Sequence, residues 1–305
     1  MLLNNFMRRK TIFIKKIIMG ILTLILLLNF CQIVSSEQTN GNIIYVNKSS
    51  TGNFSKIQDS IDAANSGDTI YVYNGTYFEN IVIDKSITLI GENRINTIID
   101  GRVAGNVIKV NAGHVMIKNF TIQHSGLIFP NSGINLSSDN NLIENNLIID
   151  NFYGMTLYKA NKNIIRGNII QNDDHCGIYM SFSSDNTIVD NTIQYNNYNG
   201  IGLYDSSDDN SIKNNNLNNN DFCAVNIRIS SNNMIFGNNI TDNYIGIHLP
   251  HSENFIEDNI FLGNEINIDR DSFLSRSESI LVLGIILILG IIGVFFYSKI
   301  RKKRK

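Results

Sequence analysis

Residues 154–180 read GMTLYKANKNIIRGNIIQNDDHCGIYM, and residues 177–203 read GIYMSFSSDNTIVDNTIQYNNYNGIGL. Laid over one another, they put Gly154 on Gly177, Asn163 on Asn186, Ile165 on Ile188 and Asn168 on Asn191. The pattern extends in both directions. Gly-Ile-x-Leu or its equivalent begins at Gly133, Gly154, Gly177, Gly200, Ala224, Gly246 and Asn267, with spacings of 21, 23, 23, 24, 22 and 21 residues. A first asparagine column holds Asn141, Asn163, Asn186, Asn210, Asn233 and Asn254. A second holds Asn146, Asn168, Asn191, Asn215, Asn238 and Asn259. A third holds Asn151, Asp173, Asn196, Asn220, Asn243 and Asn264. Two residues after each member of the first two columns stands Ile, Leu or Phe, such as Ile188 or Ile193.

Apolar residues that alternate over only three or four positions have the period of a strand, not of a helix. Three such runs fit in each repeat of ~22 residues, so each repeat makes three short strands and three corners. A unit this small cannot bury its apolar side alone and must stack on copies of itself. At the ~4.8 Å strand spacing, the stack becomes three parallel sheets around a filled interior. The expected fold is therefore all-β: a parallel β-helix, or solenoid, with three strands per coil. Ile134, Leu136, Met155, Leu157, Ile178 and Met180 should line one inner face. Asparagine suits the corners because it tolerates left-handed backbone, and its amide can bond from coil to coil.

Composition agrees. Of 305 residues, 48 are Asn and 53 are Ile, against 2 Pro and no Trp. Both abundant types rank poorly inside helices, which argues against a long-helix architecture. Three cysteines exclude a disulfide-stapled scaffold. Cys176 and Cys223 share a column two coils apart, ~9.6 Å at strand spacing, too far for a disulfide. They read as buried free thiols.

Upstream, Thr69–Val72, Ile81–Ile83, Ile87–Ile90, Thr97–Ile99, Val107–Val110, Val115–Ile117 and Phe120–Ile122 continue as weaker strands. Before them, Ser55-Lys56-Ile57-Gln58 has the form of a capping box. It opens an amphipathic helix, 54–66, that would plug the N-terminal end of the stack. The segment 54–77, FSKIQDSIDAANSGDTIYVYNGTY, then resembles the entry to the pectin-lyase-like superfamily. The following 81–92, IVIDKSITLIGE, and the asparagine repeats resemble its NosD/CASH branch, named for carbohydrate-binding proteins and sugar hydrolases. The resemblance spans 42–268. It implies a right-handed helix and a secreted or anchored surface protein of the archaeal type. It leaves the activity open.

The two ends imply a membrane. Arg8, Arg9, Lys10, Lys15 and Lys16 precede an apolar run, Ile17 to Phe30, and small residues at 34–36. That is the pattern of a signal peptide over 1–36 with a candidate cleavage site after Ser36, the alternative being an uncleaved anchor helix. Ectodomain residues 37–268 follow, with regular repeats over 133–268, and then a tether over 269–279. A transmembrane helix is expected at 280–298, within a charge-free stretch of 20 residues, ~30 Å long. The tail 299–305 is basic and hence cytoplasmic, with Tyr297 at the interface. The expected location is the plasma membrane, single-pass, with the β-helix outside. Between residues 37 and 279 stand 14 basic and 27 acidic residues, a formal −13. That charge excludes a nucleic-acid partner. Sequons at Asn47, Asn53, Asn74, Asn119, Asn135 and Asn239 fit a glycosylated envelope protein.

Chemistry is sparse. Superfamily lyases use clustered carboxylates and calcium; its hydrolases use two or three Asp beside a His. The nearest candidates are Asp173, Asp174 and His175, with Asp205, Asp208 and Asp209. His175, however, shares a column with Phe152, Tyr198, Phe222 and Tyr244 and reads as one rung of a stacking ladder. His248 and His251 are the candidate copper ligands, since NosD is associated with copper delivery; two imidazoles alone make a poor site, and they read as surface histidines flanking the inward Leu249. No cofactor is required by the sequence; calcium and copper stay open. Tyr158, Tyr179 and Tyr204, with Phe182 and Asp205, should point outward and can stack on sugars. The leading expectation is a surface protein that binds glycans or envelope components without catalysis. The alternatives are a polysaccharide lyase or glycoside hydrolase, or a copper-handling envelope protein.

Overall fold

The structure is a computed structural model that describes residues 41–48, 53–250 and 253–270. These form a parallel β-solenoid of about ten coils with three sheets, one of ten strands and two of nine. All pairing is parallel: Ile43–Val46 pairs with the next strand, Thr69–Val72, and from there on strands pair three apart in sequence, so that Leu142–Glu144 lies between Met116–Lys118 and Ile164–Arg166. The strands expected from the sequence are present, joined by two that were not read there, Ile43–Val46 and Gly75–Tyr77.

Register is what buries the core. Ile143 pairs with Ile165, and so on through Ile188, Ile212, Ile235 and Ile256. Ile148, Ile170, Ile193, Leu217, Ile240 and Phe261 form the equivalent file of the second sheet. The inner files are fully buried except in the last coil, where Ile256 and Phe261 are partly exposed. A fully buried Ile or Leu contributes roughly 1.5–3 kcal/mol.

The asparagine columns form continuous ladders. Asn146 donates both its backbone N–H and its Nδ2 to Asn168 Oδ1, at 2.9 and 3.1 Å. Asn168 repeats this onto Asn191, and Asn191 onto Asn215. The same Nδ2 also reaches an inner-strand carbonyl of the preceding coil, as Asn168 does to Ile143 O at 2.9 Å. One amide therefore satisfies up to three backbone groups that burial would otherwise leave unpaired.

The left-handed backbone sits one residue earlier than expected. Positive φ occurs not at the ladder residues but at the residue before them: Asn145, Gly167, Asp190, Asn214 and Gly237 in the second column; Asp150, Asn172, Tyr195, Asn219 and Asp242 in the third. That residue turns the chain, and the ladder asparagine then points inward. Asn, Asp and Gly recur there because they tolerate the conformation.

The helix is shorter than expected. The α-helix α1 spans Ile57–Ala63 and buries Ile57 and Ile61 against the first coil. The capping box does not form, because Phe54 bridges Val46 and the helix opens only after Lys56. Glu79, from the first coil, takes its place: its Oε1 and Oε2 accept the N–H groups of Ile57 and Gln58, both at 2.9 Å. A carboxylate there satisfies two orphan amides and complements the helix dipole. At the other end, the last strand, Ile266–Asp269, runs one residue into the expected tether. Among the described residues no helix is long and apolar enough to cross a membrane, and the expected signal peptide and transmembrane segment lie outside them.

Candidate functional site

Aromatic side chains gather on one side of the rod, where the third corner meets the outer face of the third sheet. Phe152, His175, Tyr198, Phe222 and Tyr244 follow one another coil by coil, with centroid spacings of 6.0, 4.7, 5.2 and 6.1 Å. Tyr198, Phe222 and Tyr244 are nearly parallel, 11° and 18° between planes. At those separations the rings are slid past one another, not stacked face on face, so part of each stays uncovered. Tyr198 and Tyr244 keep 36% and 41% of their surface.

A second file runs beside the first. Tyr153 packs on His175 at 4.6 Å and on Tyr179 at 5.5 Å; Tyr179 stacks on Tyr204 at 5.0 Å; and Phe129 stands edge-on to both Tyr153 and Tyr179. Of the sequence candidates, Tyr179 and Tyr204 thus come together. Tyr158 does not join them: it packs edge-on with Phe182 and takes the Lys159 ammonium over its ring. Asp205 borders the patch, accepting from Ser181 Oγ at 3.1 Å.

Tyr204 does not stand out from the sheet as expected. Its ring lies over Gly202, where an added Cβ would meet the ring at 2.5 Å. Its Oη accepts from Asn199 Nδ2 at 3.0 Å, and the same amide lies 3.7 Å from Cys176 Sγ. Asn199 Oδ1 in turn accepts the backbone N–H of Cys223. Both thiols are free and buried. Burial pushes Cys176 up to about 12, raises Cys223 further, and raises the Tyr153 and Tyr204 phenols.

Asp173, Asp174 and His175 are neighbours in sequence with separate surroundings. Asp173 is fully buried as a ladder rung: its Oδ1 accepts the Asn151 N–H and its N–H donates to Asn196 Oδ1. Desolvation holds its carboxyl well above the usual range. Asp174 is exposed, and His175 is half-buried among the rings with its pKa lowered by burial. A substrate cannot reach Asp173 in this arrangement. His248 is not a surface residue: it is fully buried beside Asp269, Nδ1 to Oδ2 3.2 Å. It faces outward from the strand, in register with Asn226, and is covered there. His251 lies outside the described residues. The sequon at Asn135 is buried, its Nδ2 donating to Thr156 Oγ1.

One pair escaped the sequence reading. Asp100 and His124 are 24 residues apart but lie on adjacent coils, with Nδ1 and Oδ2 2.8 Å apart. Gln123 Nε2 and the Arg102 N–H also donate to Asp100. Those bonds and the imidazole outweigh burial and hold its carboxyl below the usual range. Neither residue belongs to a repeat column rich enough to flag it.

Three parallel sheets stacked coil on coil, with asparagine ladders at their corners, make this a parallel β-solenoid. A family model described as periplasmic copper-binding protein (NosD) matches residues 61–274, and the chain belongs to that family. Similar solved structures include pectate lyase Pel9A, at 15% identity and TM-score 0.60, covering 76% of this chain and 78% of that one. A DFA-IIIase from Arthrobacter chlorophenolicus A6 in complex with DFA-III has 17% identity and TM-score 0.59, covering 75% and 68%. A mutant form of the periplasmic alginate epimerase AlgG has 17% identity and TM-score 0.53, covering 64% and 51%. The chain spans about half the length of that epimerase. At these identities the likeness is one of fold. Among curated proteins none matches the sequence.

The family description names copper, but the described donors do not suit it. Among the described residues no three His, Cys, Asp or Glu side chains stand together as a metal-holding group. Among the described residues His175 Nδ1 and Cys176 Sγ stand 3.1 Å apart, but burial disfavours the thiolate that a metal would need.

Proposed function

We propose that this is a membrane-anchored surface protein whose aromatic corner binds glycans or other envelope components without catalysis. The single observation behind the reading is the lopsided placement of the rings. Nine touching aromatic and imidazole side chains crowd one corner and one sheet face, from Phe129 to Tyr244. Over the same coils, the outer face of the second sheet carries Ile, Leu, Thr, Gln and Asn. Rings beside hydroxyls, amides and carboxylates are what a sugar surface needs, since they cover C–H faces and bond the hydroxyls. Anchoring rests on the charge-free run 279–298 and its basic tail.

A glycan array probed with the purified chain tests the reading, alongside Tyr198→Ala and Phe222→Ala. Specific glycan binding that both variants weaken supports it; an array blank for the wild type overturns it. The oriented Asp100–His124 pair favours a second reading, a glycan-cleaving enzyme, because a carboxylate-held imidazole can move a proton. Release of reducing ends by the wild type, abolished in His124→Ala, would establish that reading instead.

A further inference from the structure

The aromatic file has a strongly one-signed border. Asp174, Asn197 and Asp221 each follow a ladder rung, are exposed, and donate their N–H groups to Asn151, Asp173 and Asn196 carbonyls one coil back. They therefore climb the rod in step with the rings. One column further lie the left-handed residues Asp150, Asn172, Tyr195, Asn219 and Asp242. The corner segments 150–153, 172–176, 195–199, 219–223 and 242–245 contain no lysine or arginine. Four of their aspartates, Asp150, Asp174, Asp221 and Asp242, are exposed. A cation does approach the file, but from the sheet side: Arg228 is close enough to act on Tyr198.

We propose that the aromatic corner takes a linear glycan carrying no carboxylate or sulfate, laid along the rod at about one sugar per coil. The inference rests on the glycan-binding reading above and deepens it. Ring spacings of 4.7 to 6.1 Å follow the coil repeat, and an extended pyranose chain advances by a comparable length per sugar. A chain lying this way meets a ring and a polar border group at each step. A chain lying across the rod would leave the file after one or two sugars. A polyuronate laid along the file would set one negative charge per coil beside a border of the same sign, within a Debye length. An uncharged or amino-substituted glycan meets no such opposition.

The test uses the full-length chain with neutral gluco- and manno-oligosaccharides of two to eight sugars, and with oligogalacturonates and oligomannuronates of matching length. Affinity for a neutral series should rise with length to about five sugars, the number of coils in the file, and then level off. Uronates should bind at least about tenfold more weakly at low salt, and the gap should narrow at high salt. Asp174→Asn with Asp221→Asn should narrow it at low salt too; both residues are exposed, and an unchanged melting curve reports an intact fold. Equal or tighter uronate binding overturns this inference and leaves the glycan-binding reading standing. Affinity that saturates at one or two sugars overturns the along-rod placement. Absence of any glycan binding overturns both.

Discussion

Asp173 Oδ1 accepts the backbone N–H of Asn151 at 2.9 Å, the bond that asparagines make at neighbouring rungs, while its Oδ2 stands buried without a partner among the described residues. In the ladder, that second position belongs to an Nδ2 donating to the next oxygen, as Asn196 does to Asn220 at 2.9 Å. Asp173 therefore copies half of an asparagine. Asp173→Asn should restore the donor and raise stability by about 1–3 kcal/mol near neutral pH.

The pH dependence has a definite sign. The folded carboxyl is raised well above 3.8, its ordinary value, by desolvation. Below that pH the acid is protonated in both states and costs little. As pH rises past 3.8 the unfolded chain gains by ionising and the folded one does not, so stability falls until the folded group itself titrates. Denaturant midpoints for wild type and Asp173→Asn should lie close together at about pH 3.5 and separate progressively towards neutrality. A constant separation would show that Asp173 is already ionised in the folded rod.

Ladder and core should fail in different ways. Asn168→Ala removes the acceptor for Asn146 and the donor to Ile143 O, orphaning buried backbone groups at a cost of roughly 2–5 kcal/mol. Ile188→Asp places an unpaired charge where Ile165 and Ile212 stack, and should abolish secretion of folded protein. Lys162→Glu, exposed at a corner, should change melting by little. Similar behaviour of Ile188→Asp and Lys162→Glu would contradict the inward placement of Ile188.

The coil was readable because every inner position repeats: the Asn191 column is asparagine in all six units and the Ile193 column is Ile, Leu or Phe throughout, so a single misplaced residue cannot blur the period. The same redundancy hid the division of labour at the corners. Asn145 and Asn146 are the same letter, yet one turns the chain and the other bonds along it, and only backbone angles separate them. Outward side chains on the sheet faces repeat less strictly, and a shared column does not fix their poses. Tyr158 and Tyr204 share a column, but Tyr204 lies down because Gly202 leaves room for its ring, while Tyr158 has Thr156 at the corresponding place. Burial of His248 and the meeting of Asp100 with His124 depend on what covers or adjoins one particular coil, which a repeat alignment averages away.

Glu79 gives a local test of the N-terminal plug. Its two oxygens cap Ile57 and Gln58 from a neighbouring segment, so Glu79→Ala should cost about 1–2 kcal/mol while Ser55→Ala, the unused box position, costs almost nothing. Hydrogen exchange at the Ile57 and Gln58 amides should accelerate in Glu79→Ala alone. If Ser55→Ala accelerates them as much, the cap belongs to the helix's own sequence after all.

Gly202 and Tyr204 form a pair whose coupling can be measured. An alanine Cβ at 202 would meet the Tyr204 ring at 2.5 Å and force it off the sheet, breaking the 3.0 Å bond from Asn199. Gly202→Ala should cost about 1–3 kcal/mol. Once Tyr204→Ala has removed the ring, the same substitution should cost much less, so the double-mutant cycle should show strong coupling. The Asn199 amide that holds Tyr204 also touches Cys176, so lifting the ring should open that thiol. In a Cys31→Ser background, wild-type Cys176 and Cys223 should react with Ellman's reagent only slowly at about pH 8, because both are buried and Cys176 ionises at about 12. Gly202→Ala and Tyr204→Ala should each accelerate modification of Cys176. Unchanged labelling in both would mean that something other than Tyr204 shields the thiol.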